Sequence, residues 1–489
     1  MSPQIAIGIL LVYFIILVVI AQITSKNADT QSFFTANKSV PWYLVAFGMI
    51  GTSLSGVTFI SVPGAVGVKA FSYFQIVLGY LAGYFFIGTV LMPLYYRLNL
   101  ISIYGYLEQR IGFWSYKTGS AFFLLSRTLG SAVRLYIAAQ VLQLAIYDPL
   151  GIPFEVAVLI TIALIWVYTY KGGIQTIVIT DTLQTFFLIS AVALTIVLIS
   201  YEMKLDVKSL FSAVSGSDMS QIFFFEGGWS DSKNFFKQFI SGAFIAIVMT
   251  GLDQDLMQKN LTCKNIGEAQ KNMFWFTVVL VFVNLMFLSL GALMYLYAQE
   301  KGISTPAQTD SLYPMMALQH FAQPSMGWAG LLVGVFFLIG ITAATYASSD
   351  SALTALTTAF CIDFLDIQNK SEESRMKLKN RVHIGFSLIF AVVILLFKTL
   401  NSTDVISATF QIASYTYGPI LGLFAFGIYT KRPAIDHWVP WICVASPILT
   451  YGIVWFMETY LNYKFGFENL LLNGLITFIG LWLAKPKSV

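Results

Sequence analysis

Gly48-Met49-Ile50-Gly51-Thr52-Ser53-Leu54-Ser55-Gly56, followed by Pro63-Gly64, interrupts an otherwise apolar run over residues 42–68. Glycine and proline weaken a helix interior, and small polar residues sit between the glycines. The run is nevertheless long enough to cross a bilayer, which takes about 20 apolar residues. Irregular backbone at membrane depth persists only where protein or a water-filled cavity satisfies it. A helix broken there frees carbonyls that can coordinate a cation. The alternative is close helix packing through small residues.

The rest of the chain demands a bilayer. Of 489 residues, 57% are hydrophobic and 11% charged, against about 25% charged in a soluble domain. Aromatics at 16% suit the membrane–water interfaces. The net charge of +4 gives no case for nucleic acid, and no basic stripe is present. Cys263, Cys361 and Cys443, like His320, His383 and His437, are scattered without metal-ligand spacing, so neither zinc nor disulfides are expected. The N-terminus lacks a basic n-region, so its first apolar run is expected to stay as a helix.

Thirteen apolar segments read as spans: 3–23, 42–68, 71–96, 116–147, 154–170, 173–201, 235–257, 272–297, 327–364, 383–399, 404–429, 436–457 and 466–484. The run 327–364 exceeds one span and is expected to extend beyond the membrane as helix. With the N-terminus outside, the inner segments hold 18 Lys and Arg and the outer ones 8. That bias sets the orientation, and it places Lys259 in an inner loop. The loops at 202–234 and 298–326 lie outside.

The seventh span carries a second break signal, Thr250-Gly251 ahead of Asp253-Gln254-Asp255. Spans two and seven are five apart, the arithmetic of an inverted repeat. One membrane domain is expected, with a peripheral first helix at 3–23, one repeat at 42–201, the other at 235–429 and two peripheral helices at 436–484.

Charge inside the membrane costs about 2.5–3.5 kcal/mol for a carboxylate at the centre. Asp181 and Asp350 therefore need a sodium ion, a proton, or an arginine. Arg127 and Arg134 lie seven apart on one helix face and could serve as that partner. Either guanidinium could instead hold an anionic solute through its fork. Arg134 is preferred, because Gly130, Ser131, Ala138 and Gln140 make its surroundings small and polar.

Lys171-Gly172-Gly173 through Thr180-Asp181-Thr182-Leu183-Gln184 resembles a signature of the sodium/solute symporter family. Gly251-Leu252-Asp253-Gln254-Asp255 with Gln258-Lys259-Asn260-Leu261 is similar to a second. Phe33-Phe34-Thr35-Ala36-Asn37-Lys38-Ser39-Val40-Pro41-Trp42 and Tyr106-Leu107-Glu108-Gln109-Arg110-Ile111-Gly112 resemble two more, in order along the chain. The resemblance implies an all-α polytopic membrane protein with a five-plus-five inverted-repeat core, two broken core helices and sodium-driven uptake. It implies a main sodium site of the Gly51, Leu54 and Ala344 carbonyls and the Ser348 hydroxyl. Ala347 stands where the family often has a hydroxyl, a ligand that Ser349 or water would replace. It implies a second cation site of Asp181, Asp350 and Ser351; two carboxylates side by side raise each other's proton affinity, so sodium and protons are expected to compete there. Asp350 departs from the usual hydroxyl there.

Ser53, Ser55 and Thr58 resemble the hydroxyls that sialic-acid symporters place in the broken helix. With Arg134 they point to a carboxylated solute such as a sialic acid, a sugar acid or a monocarboxylate. Tyr73, Phe74, Gln75 and Gln411 are further solute-pocket candidates, with plain helix packing as the alternative. Competing readings are a symporter for a neutral sugar or amino acid and a transporter-like membrane sensor. Only Lys485-Pro486-Lys487-Ser488-Val489 follows the last span, which argues against a fused output module. An enzyme or a channel lacks convergent catalytic groups or a filter sequence. The expected setting is a bacterial inner membrane, with sodium, a small solute and lipid as partners.

Overall fold

The computed structural model describes residues 3–26, 30–400 and 405–484. Lys485 and Lys487 of the orientation count, residue 404 of the eleventh expected span, and the side chain of Lys171 lie outside the described residues.

Among the described residues the chain is helical, without a strand. The main helices are α1 (Pro3–Thr24), α2 (Trp42–Ser53), α3 (Gly56–Lys69), α4 (Tyr73–Phe86), α5 (Phe113–Leu142), α6 (Phe154–Tyr170), α7 (Gly173–Glu202), α8 (Phe235–Ala246), α9 (Gln254–Asn260), α10 (Ile266–Lys301), α11 (Gly327–Asp363), α12 (Glu372–Leu400), α13 (Val405–Tyr429), α14 (Val439–Tyr460) and α15 (Asn469–Leu483). A helix is the economical way to satisfy backbone polar groups in lipid. Large apolar side chains stay exposed along α1 (Leu11, Val12, Ile15, Val19) and α14 (Val444, Ile448, Leu449, Ile453). Such a belt faces lipid, not water.

Among the described residues nine helices are long and apolar enough to cross a membrane, ten when the bent pair Phe235–Gly251 and Gln254–Asn260 counts as one span. The expected thirteen is therefore not confirmed. Trp42–Ser53, Phe154–Tyr170 and Asn469–Leu483 are apolar but short, and the helical course runs on through Gly56–Arg97. A hydropathy window sees apolar length; it cannot see where a helix is cut. The 327–364 run is one helix of 37 residues, as expected.

Both expected breaks are present. The ladder of α2 ends at Leu54 N–H donating to Ile50 O (2.8 Å), and that of α3 begins at Phe59 N–H donating to Ser55 O (3.0 Å). Leu54 (φ −87°, ψ 71°) and Ser55 (φ −64°, ψ 172°) are not helical. The carbonyls of residues 51–54 fall between the two ladders. The second break, at Leu252-Asp253, bends the seventh span by 69°. Asp253 caps α9, its Oδ1 accepting from Asp255 N–H at 2.8 Å, which supplies an acceptor to a helix start that has none of its own.

The core gathers around these breaks. α7 packs on α2 and α11, and α8 on α4. Between α6 and α7, Gly173 takes φ 55°, and a Cβ there would meet Phe33 O at 2.5 Å. Only glycine fits so close a turn, which gives the Lys171-Gly172-Gly173 motif a structural reason.

Candidate ion and solute site

The break of α2 and α3 is held from two sides. On α7, Thr185 Oγ1 accepts from Gly51 N–H at 2.9 Å, and one turn earlier Asp181 Oδ2 accepts from the Thr52 hydroxyl at 3.0 Å. On α11, Thr345 and Ile341 face Gly56, where a Cβ would come within 3.0 Å of Thr345 Oγ1. The stretch 341–348 of α11 thus runs beside the freed carbonyls. Gly51, Leu54, Ala344, Ala347 and Ser348, the expected main-site residues, are all buried. Ser348 Oγ donates to Thr345 O at 3.0 Å, which leaves its oxygen lone pairs available. The Ser349 hydroxyl is buried without a hydrogen-bond partner, as a replacement for the hydroxyl missing at Ala347 would be.

Asp181 and Asp350 do not pair with arginine. Lys259 Nζ, on α9, bonds both Asp181 Oδ2 and the Thr52 hydroxyl. This corrects the placement of Lys259 in an inner loop: it is 1% exposed. The 69° bend turns α9 back into the core, and hydropathy cannot register a bend. Arg127 bonds Asp255 and lies 3.9 Å from Asp253, whose Oδ2 accepts from the Tyr417 hydroxyl. That ties α5, α9 and α13 together. Asp350 accepts from the Tyr168 hydroxyl at 2.7 Å and from Ser351 N–H at 2.5 Å. Ser351 faces Asp181 in turn.

A cavity of about 80 Å³ opens beside the break. Thr52, Ser53, Leu54, Ser55, Thr58 and Tyr73 line it, with Arg127 and Arg134. No carboxylate stands in its wall. Because Arg127 is spent on Asp255, Arg134 is the guanidinium of this cavity that forms no ion pair among the described residues. Tyr80, Tyr84, Asn284, Thr409 and Phe410 also line it and were not foreseen. Their helices meet only through tertiary packing; the one sequence hint is that Tyr80 follows Tyr73 by two turns, and their hydroxyls are 3.3 Å apart.

Three expected pocket residues sit elsewhere. Gln75 is fully buried and spent on the 224–233 loop and the start of α8: it donates to Lys233 O and Gln238 Oε1 (2.9 Å each) and accepts from Phe224 N–H (3.1 Å). Phe74 packs against the apolar core. Gln411 lines a separate vestibule of about 500 Å³ with Lys69, Lys233 and Tyr415. In each case a neighbouring position on the helix points to the cavity and this one does not.

A sodium:solute symporter family model matches residues 33–435. The chain belongs to the sodium:solute symporter family. It is 26% identical over 422 residues to the sodium/sialic acid symporter NanT of Aliivibrio fischeri, covering 83% of this chain and 79% of that one. It is 24% identical over 421 residues to the sodium/sialic acid symporter SiaT of Proteus mirabilis, covering 83% and 80%. A human sodium-coupled monocarboxylate transporter 2 is 23% identical over 412 residues, 82% of this chain and 64% of that one. In fold, this family member matches a substrate-bound Na⁺-coupled sialic acid symporter with a TM-score of 0.82 at 21% identity, covering 98% and 97% of the two chains.

Proposed function

We propose that this symporter imports a small carboxylated solute, of the sialic-acid or sugar-acid class, on a sodium gradient. One observation carries the solute class: Arg134 stands in a cavity beside the broken helix with no acid paired to it. An unpaired guanidinium at membrane depth is costly, and a carboxylate matches its fork. Ser53, Ser55 and Thr58 offer hydroxyls for a polyol chain, and Tyr73 stands between cavity and vestibule. The two relatives named as sialic acid symporters support the reading. A short monocarboxylate is the second reading, favoured by the small cavity, since drug-sized ligands occupy about 300–1,000 Å³.

The driving ion binds the Gly51, Leu54 and Ala344 carbonyls and the Ser348 hydroxyl, with Ser349 in reserve for Ala347. Oxygen ligands suit a hard cation. The ion would hold the α2–α3 break against α11 and so shape the solute cavity. The Lys and Arg bias supports an N-terminus outside, and the bacterial relatives support a bacterial cell membrane.

Uptake into proteoliposomes tests this directly. A sialic acid should accumulate under an inward sodium gradient and not under choline, and lactate should compete if the second reading holds. Sodium-independent accumulation, or uptake of glucose in preference to every carboxylate, would overturn the proposal.

A further inference from the structure

Arg127 and Arg134 stand two turns apart on one face of α5, about 10 Å along its axis, and both line the solute cavity. Each lies within electrostatic reach of the other. Arg134 has no acid paired to it among the described residues. Arg127 holds Asp255 on α9 and lies 3.9 Å from Asp253, which takes the Tyr417 hydroxyl of α13. On the orientation proposed above, α5 starts at the inner face. Arg127 is then the deeper of the two for a solute arriving from outside, and its ion pair closes the way inward.

That pair is incomplete. Arg127 Nε and Asp255 Oδ1 are buried and have no hydrogen-bond partner, so the fork meets Asp255 through one nitrogen and one oxygen. A guanidinium and a carboxylate bind best through two parallel N–H···O bonds. A mobile carboxylate that reaches Arg127 can make the second bond that Asp255 leaves unmade. The face of α5 between the two arginines is small and polar. A Cβ on Gly130 would meet nothing within 4 Å, and the buried Ser131 hydroxyl has no hydrogen-bond partner.

We propose that Arg127 is a second, inner binding residue for the solute carboxylate, which passes to it from Arg134 and displaces Asp255. This rests on the reading of the solute as a carboxylate held at Arg134. A ligand shifts a conformational equilibrium only by its differential interaction with the two states. While Arg127 holds Asp255, the solute gains nothing from Arg127; once α5 and α9 part, it gains a full fork. The solute therefore favours the state in which the inner tie is broken. Without solute, parting the pair strands a buried charge, which is strongly unfavourable. The empty carrier stays shut on the inner side, and sodium does not leak alone.

The test is equilibrium binding of radiolabelled sialic acid to purified protein in sodium, with solute exchange flux in proteoliposomes. Asp255→Asn frees Arg127 and should tighten binding about tenfold. Arg127→Gln/Asp255→Asn removes the pair together, and should bind with wild-type affinity through Arg134 and exchange solute about a hundredfold more slowly than Asp255→Asn. Equal affinity and equal flux in these two variants would make Arg127 a strut between helices and overturn the proposal. Loss of binding in the double variant would put Arg127 in the same pose as Arg134 and overturn the passage between them. Arg127→Lys keeps an ion pair with Asp255 and loses the fork, so it keeps the proposal open to refutation if the double variant does not fold. Its binding should match wild type while its exchange slows about tenfold or more; wild-type exchange would overturn the inner residue. Wild type that binds neither sialic acid nor lactate would overturn the carboxylate reading itself, whereas binding that is lost in Arg134→Lys alone would leave that reading standing and test only Arg127.

Discussion

Gly51 shows how one missing methyl group lets α7 close in beside the main break. A Cβ there would meet Thr185 Oγ1 at 2.4 Å, inside the hydrogen bond that Thr185 accepts from Gly51 N–H. Gly51→Ala should therefore lower the melting temperature in detergent, by an overpacking cost of about 1–3 kcal/mol. Gly51→Ala/Thr185→Ala should recover part of that loss; no recovery would mean the clash is not the cause. Arg134 works through its fork. Arg134→Lys keeps the charge and loses the bidentate geometry, so solute affinity should fall about tenfold or more, given roughly 1.5–3 kcal/mol for a hydrogen bond to a charged group. Sodium binding should survive. Normal solute affinity in a folded variant would remove Arg134 from the solute site.

Lys259 joins three elements, α9, α7 and α2, at one ammonium. Removing one member of a buried pair strands the other charge and costs about 3–5 kcal/mol, whereas replacing both members is often neutral. Lys259→Met alone should destabilise the protein strongly, and Lys259→Met/Asp181→Asn much less. A thermal-unfolding double-mutant cycle checks this, and additive losses would count against the tie. The polar residues of the motif around Lys259 serve the same assembly. Gln254 donates to Ile101 O (2.7 Å) and accepts from Ile103 N–H (2.9 Å), and Gln258 donates to Phe34 O (2.7 Å). The bent seventh span is thereby fastened to Phe34 and to the Ile101–Ile103 segment as well as to the second span.

Across the membrane, ion binding to the folded state raises its stability, by about 2.7 kcal/mol at a hundredfold excess over the dissociation constant. Sodium should raise the melting temperature relative to choline at equal ionic strength, and Ser348→Ala should shrink the shift. Equal melting in both salts would remove the main site. Orientation has its own test. Cys263, Cys361 and Cys443 are buried, so introduced cysteines read against a low background. Lys208→Cys should react with an impermeant maleimide in intact cells, and Lys377→Cys only after lysis. The reverse pattern would invert the protein.

Much of this was legible in the chain. Apolar length and the Lys and Arg bias are local quantities, and they sufficed for a helical membrane domain. Gly51 through Gly56 and Thr250-Gly251 marked both breaks, because helix interruption is written in local backbone preference. The ordered motifs from Phe33 to Leu261 pointed to the family. The number of spans was not legible, since the cuts and the short helices depend on where the bundle lets a helix end. Nor were the partners of the buried charges. Asp181 was expected to need a cation or an arginine and has Lys259; Arg127 has Asp255; Asp350 has the Tyr168 hydroxyl and the Ser351 N–H. Pairing of buried charges is decided by distances between helices far apart in sequence. A one-turn difference in facing sends Gln75 to a loop and Tyr73 to the cavity. The sequence by itself determined that these charges must be answered inside the membrane, because the cost of burial belongs to the residue; only the tertiary structure decided what answers each, because the partner belongs to the packing.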